Sequence, residues 1–223
     1  MSAPESRSRY DPLIPWVYMM RQERERAIIR LIKAARLAPV SEKYVLEIEC
    51  GAGLDLAILI KLGFSPERLT GTEAMAERAA QARRTLPSTV RIIDGDALSM
   101  KLPERQFDIV LQSTVFSSIL DDEMQVRLAN LIWSWIRPGG GILWYDFVFD
   151  NPTNSAVRRV PLTRVRSLFP EGKFRTWRIT LAPPLSRIVT RAHPGLYHLF
   201  NIFPGLRTHM LCWIGKIKNG ITI

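Results

Sequence analysis

Residues 44–54 read Tyr44-Val-Leu-Glu-Ile-Glu-Cys-Gly-Ala-Gly-Leu54, and this stretch decides the fold. Val45, Leu46 and Ile48, interrupted only by Glu47, have the length and character of a buried strand. The strand runs straight into Cys50-Gly51-Ala52-Gly53 and then into an apolar helical run, Leu54-Asp-Leu-Ala-Ile-Leu-Ile60. Strand, glycine turn and helix is how an open α/β sheet presents backbone N–H groups at the carboxyl end of a strand. A tight strand-to-helix junction needs glycine for steric reasons anyway. The stretch alone leaves a cofactor site and a plain structural turn equally open.

The following residues repeat the pattern. Arg68-Leu-Thr-Gly-Thr-Glu73 is a short strand ending in an acid. Ala74 to Leu86 is rich in Ala, Glu and Arg and predicts a helix stopped by Pro87. Val90–Asp94 is a third strand, followed by Gly95-Asp96-Ala97. Phe107–Gln112 is a fourth, leading into Ser113, and Asp121–Ile136 is the next helix, with acids near its start. Arg137-Pro-Gly-Gly-Gly141 reads as a break, and Ile142–Val148 as a fifth strand. This alternation predicts an α/β fold: a doubly wound, Rossmann-like, mostly parallel seven-stranded sheet with helices on both faces. Phe174–Leu181 and Leu206–Lys216 read as the last two strands, with an enlarged helical excursion between them.

Upstream, Arg21 to Leu37 has apolar residues at helical spacing and ends at Pro39. The Tyr10–Tyr18 segment before it reads as a packed aromatic cluster or a lid. The polar residues 1–12 read as frayed. Downstream, Asp150-Asn-Pro152 marks a change of character. Thr163–Phe169 predicts a short helix, Pro183-Pro184 a break, and Leu185–Phe203 an apolar stretch interrupted at Pro194-Gly195. The 223 residues fit one domain: an N-terminal helical lid over 1–40, a core over 41–150 and a basic portion over 151–223.

The net charge of +10 is unevenly spread. Residues 151–223 hold 12 Lys and Arg against the single acid Glu171, a balance of +11, whereas residues 1–150 hold 19 against 20. Such asymmetry fits an anionic partner (nucleic acid, membrane surface or phosphate-bearing substrate) or a solvated basic face. The two cysteines, Cys50 and Cys212, supply neither a disulfide framework nor a metal site by themselves. No signal peptide or membrane-spanning run is evident, so a cytoplasmic location is expected, with contact at the inner membrane face left open.

Val45–Gly53, Leu69–Glu73, Gly95–Ala97, Phe107–Gln112 and Arg137–Gly140, in this order and spacing, resemble the class I S-adenosylmethionine-dependent methyltransferases, most closely the group acting on small molecules and lipids. The resemblance implies a C-terminal antiparallel pair formed by the last two strands, and S-adenosylmethionine as cofactor. It implies that Cys50, Gly51, Ala52 and Gly53 lie against the methionine part, with Glu47 holding the ammonium. Glu73, with Ala74 next to it, would take the ribose hydroxyls. Asp96 would accept from the adenine amino group beside Ala97, and Gln112 and Ser113 would line the sulfonium.

Two positions depart from the family. Glu49 stands where it usually has glycine, and Ser117-Ser118 where it often has histidine.

The activity implied is methyl transfer, with oxygen the expected target, to a small-molecule or lipid- or sugar-linked acceptor that can carry phosphate. Asp146, after the apolar start of the fifth strand, is the candidate catalytic base, facing opposite to Tyr145. His193 and His209 are further candidates for a base. Two alternatives stay open: a nucleic-acid methyltransferase, and a binding protein on this fold that has lost catalysis through Glu49. Against the first stands the lack of an Asn-Pro-Pro-Tyr-like tetrad after the fourth strand.

Overall fold

The computed structural model describes residues 11–150 and 154–217. Residues 1–10 and the Asn151-Pro152 pair lie outside the described residues. The elements in chain order are α1 (Pro15–Ala34), β1 (Val45–Ile48), α2 (Leu54–Lys61), β2 (Leu69–Glu73), α3 (Ala76–Thr85), β3 (Arg91–Asp94) and β4 (Phe107–Ser113). Next come α4 (Asp122–Trp135), β5 (Ile136–Phe147), α5 (Leu162–Leu168), β6 (Lys173–Leu181), α6 (Pro183–Ala192), α7 (Leu196–Phe200) and β7 (Arg207–Gly215).

The sheet runs β3-β2-β1-β4-β5-β7-β6. β1 through β5 are parallel, while β7 is antiparallel to both of its neighbours. The strand order reverses between β1 and β4, which opens a crevice at their carboxyl ends. Every residue of β1 is buried because helices cover both faces of the sheet there. One face carries Leu46, Ile48, Val110, Trp144 and Cys212 under α4 and α5. The other carries Val45, Ile109, Leu111, Tyr145 and Leu211 under α1, α2 and α3. A third cluster joins Met19 of α1 and Leu181 of β6 to Val189 and Tyr197 in the C-terminal excursion.

Two boundaries differ from the sequence reading. α1 begins at Pro15, not Arg21. A proline in the first turn costs no hydrogen bond, and its fixed φ suits a helix start. Pro183 and Pro184 likewise open α6 as well as ending β6. In addition, β5 starts at Ile136 and runs through the glycine triplet. A Cβ on Gly140 would come within 2.5 Å of the Asp108 carbonyl, and one on Gly141 within 2.6 Å of the Ile214 carbonyl. These glycines therefore let β5 squeeze between β4 and β7, and do not stop the strand.

Among the described residues no helix is long and apolar enough to cross a membrane.

Candidate active site

The parallel register brings the expected residues to one edge. Glu47 pairs across to Gly71, Ile48 to Gln112, and Glu73 to Asp94. The carboxyl ends of β1, β2, β3 and β4 thus converge around the glycine loop. That loop is held from both sides. The Cys50 amide donates to the Thr72 carbonyl at 2.8 Å, and the Gly51 amide donates to Glu73 Oε2 at 2.8 Å. Glu73 also accepts from the Met75 amide through Oε1 at 2.9 Å, so both carboxylate oxygens brace loop ends.

The glycines do different work. Gly51 has φ +58°, and a Cβ there would meet nothing within 4 Å, so its loop edge faces open space. Gly53 has φ +80°, and a Cβ there would lie 2.5 Å from the Leu86 side chain. Gly53 is thus demanded by packing, and Gly51 by backbone conformation. Cys50 contributes only backbone to the open side. Its thiol is buried in the core, beside the place of the missing Cβ of Gly71, and burial pushes it up to about 12.

At the β1 end the helix α1 delivers a residue that the sequence reading missed. Arg24 Nη2 donates to Asp55 Oδ2 at 2.6 Å and to Ser113 Oγ at 2.9 Å, and its guanidinium lies 4.1 Å from the Tyr145 ring centroid. Burial works against its charge, but Asp55, Tyr145 and Glu47 more than offset this and hold its pKa above the ordinary value. Glu47 is shifted the other way. Burial first, then the neighbouring Asp55, raises its carboxyl well above the usual range, against Arg24 and the Leu56 amide.

Two buried polar atoms here have no hydrogen-bond partner, Glu47 Oε2 and Arg24 Nε. A buried acceptor and a buried donor in one neighbourhood match the ammonium and carboxylate of an α-amino acid. The residues present therefore fit the methionine end of the expected cofactor.

The remaining residues divide between site and scaffold. Asp96 caps the turn after β3 by accepting from the Leu98 amide at 2.9 Å, with Ala97 buried beside it. Gln112 is fully buried. Its Oε1 accepts from the Val115 amide at 3.2 Å, so its side chain shapes the turn after β4. Ser113 is met by Arg24.

Asp146 lies on the opposite face from Tyr145, and none of it is exposed. Its Oδ2 accepts from the Ser117 amide at 3.2 Å and its Oδ1 from the Phe147 amide at 2.9 Å. Burial raises it to about 7 against these bonds.

His209 stacks on Tyr145 with centroids 4.9 Å apart. Burial, Arg24 and Arg178 lower its imidazole to about 3, which makes it a neutral and weak base. His193 is exposed and accepts from the Gly195 amide through Nδ1.

Another buried acid, Glu23, ties α1 to the C-terminal portion. It accepts from the Thr180 amide at 3.0 Å, from the Tyr197 hydroxyl at 2.6 Å and from Asn201 Nδ2 at 2.7 Å. Thr180 Oγ1 in turn lies 3.0 Å from the Tyr145 hydroxyl. A continuous polar chain thus runs from Asn201 through Glu23, Thr180 and Tyr145 to Arg24.

Fold and site together define a class: a Rossmann-like α/β domain whose switch-point crevice carries acids at the ends of β1 and β2 and after β3. Residues 45–140 match the family model described as a methyltransferase domain. That match covers the core, less than half of the chain, and agrees with the resemblance to the class I S-adenosylmethionine-dependent methyltransferases.

The chain is 29% identical over 106 residues to an uncharacterized methyltransferase of Bacillus thuringiensis, covering 48% of each chain. It is 33% identical over 113 residues to a fatty-acid O-methyltransferase of Mycolicibacterium smegmatis, covering 50% of this chain and 40% of that one. It thus spans less than half the length of these relatives. The fold is shared with a SAM-dependent methyltransferase from Archaeoglobus fulgidus at a TM-score of 0.58 and 15% identity, covering 89% of this chain and 99% of that one.

Proposed function

We propose that the protein transfers a methyl group from S-adenosylmethionine to an oxygen of a small-molecule or lipid-linked acceptor bearing a carboxylate or phosphate. The unpartnered pair Glu47 Oε2 and Arg24 Nε carries this reading, because it matches an amino-acid moiety at the switch point. When bound, the cofactor supplies an already activated sulfonium methyl, so the protein contributes mainly orientation.

In this reading Glu47 holds the ammonium and Arg24 the carboxylate, along the Cys50–Gly53 loop. Glu73 with Ala74 meets the ribose, Asp96 and Ala97 meet the adenine, and the backbone around Gln112 and Ser113 lines the reacting end. Asp146 acts as a positioning residue: through the Ser117 amide it sets the turn after β4. This replaces the role of base with one that its hydrogen bonds support.

The acceptor class is supported by a cleft of about 320 Å³ between the start of α1 and α6. It is lined by Ile14, Pro15, Trp16, Arg187, Thr190 and Arg191. Apolar walls and two guanidiniums suit an amphiphile with an anionic head. Leu13, 88% exposed, and Ile188, 66% exposed, adjoin it in sequence and offer contact to an acyl or prenyl tail or to a membrane face.

The nucleic-acid reading finds less support. Arg158 and Arg164 pair with Asp122, and Arg159 pairs with Asp150. Arg175, Arg178 and Arg207 donate to backbone carbonyls. These arginines are thus engaged in ion pairs and hydrogen bonds within the chain.

Calorimetry with S-adenosylmethionine, together with transfer of labelled methyl into fatty acids, lipid phosphates and RNA, tests the proposal. The expected result is cofactor binding weakened about tenfold or more by Glu47→Gln, and label in the acidic lipids. Arg187→Gln with Arg191→Gln is expected to raise KM for the acceptor with kcat kept. Label in RNA alone would overturn the acceptor class.

A further inference from the structure

Glu49 follows β1 directly and holds φ at +52°, in the left-handed region that favours glycine. Its backbone is pinned there, with the Glu49 amide donating to Thr72 Oγ1 at 3.3 Å and the Cys50 amide to the Thr72 carbonyl. Its side chain does not turn away from the crevice. Oε2 accepts from the Ala74 amide at 3.4 Å, and the Ala97 amide favours the charged carboxylate from the far side. Glu73 and Asp96 are the nearest like charges. The side chain therefore crosses from the end of β1, past the end of β2, to the turn after β3.

Glu73, Ala74, Asp96 and Ala97 are the four residues that the proposed function assigns to ribose and adenine. A nucleoside entering there would compete with Glu49 for the Ala74 amide and for the same space. It also gains from the carboxylates of Glu73 and Asp96 only if no third carboxylate crowds them.

We propose that Glu49 is the residue that sets cofactor affinity: its carboxylate occupies part of the adenosine subsite and must leave before a nucleoside can enter. This rests on the reading of the crevice as the cofactor site. The effect falls on the nucleoside half alone, which S-adenosylmethionine shares with the by-product S-adenosylhomocysteine. Both are therefore held more weakly than by a glycine at this position, and inhibition by the by-product is correspondingly relieved. The methionine half, held at Glu47 and Arg24, is untouched.

Calorimetry on the full chain with S-adenosylmethionine, S-adenosylhomocysteine and adenosine tests this, with circular dichroism to show that each variant folds. Glu49→Gly suits the φ, and Glu49→Asn tolerates it while being too short to reach Ala74. Both are expected to tighten all three ligands about tenfold, the effect of freeing amides held by a charged acceptor. Glu49→Gln, which keeps the length and loses the charge, is expected to fall between them and the natural chain.

Equal affinity of natural chain and Glu49→Gly would overturn the proposal and leave the cofactor site standing. So would tightening of S-adenosylmethionine without tightening of adenosine, which would locate the effect in the loop. Failure of both proteins to bind any of the three ligands would overturn the cofactor reading itself, and this inference with it.

Discussion

Arg24 Nη2 sits 2.6 Å from Asp55 Oδ2, joining the N-terminal helix to the first turn of the helix after the glycine loop. The two side chains are 16% and 10% exposed, so the pair is largely removed from water. Removing one partner leaves a buried charge without compensation, which costs about 3–5 kcal/mol in such sites. Arg24→Met should destabilise the fold on that scale, and Arg24→Met with Asp55→Asn should recover part of the loss. Denaturant titration of the two variants measures this. Full additivity in the double variant would show that the pair is not coupled.

Glu23 is the latch between α1 and the C-terminal portion. Glu23→Ala strands the Thr180 amide, the Tyr197 hydroxyl and Asn201, with a cost on the order of 3 kcal/mol. The expected readout is local. Amide exchange should speed up over β6, α6 and α7 while β1 and β4 keep their protection. Uniform acceleration across the sheet would contradict a latch.

Asp146 makes stability depend on pH in an unusual direction. Burial raises its carboxyl from the ordinary 3.8 to about 7, so the native state holds a proton that the unfolded chain has released. Its contribution is fully present below the unfolded value and is lost as pH rises through about 7. Between these values the slope from this group is at most about 1.4 kcal/mol per pH unit. Asp146→Asn should flatten the stability profile between pH 4 and 7. As a positioning residue it should also leave the shape of the activity–pH profile unchanged, whereas loss of a catalytic base would remove the acidic limb.

Much of the fold could be read in advance because its signals are local. Val45–Gly53, Glu73 and Phe107–Gln112 mark strand ends by composition and spacing, and the sheet edge on which they meet follows from parallel βαβ handedness. The helix ends before the glycine triplet as read, but the start of β5 was misplaced, since Gly140 and Gly141 serve backbone approach between strands and such crowding has no local signature. Arg24 and Glu23 were missed inside a charged run. A trace was present: Glu23 lies four residues from both Met19 and Ala27, on the buried stripe of α1. A charge on such a stripe needs a partner.

What the sequence determined by itself was the order of elements, the class of cofactor fold and the oddity of Glu49. Each depends on neighbours along the chain: periodicity, turn residues, and one side chain where a glycine is expected. Only the tertiary structure decided that Asp146 is taken up by backbone amides, that Arg24 bridges Asp55 and Ser113, and that Glu49 reaches Ala74. Those outcomes depend on where segments distant in sequence pack, and on which buried polar atoms remain to be satisfied once they have.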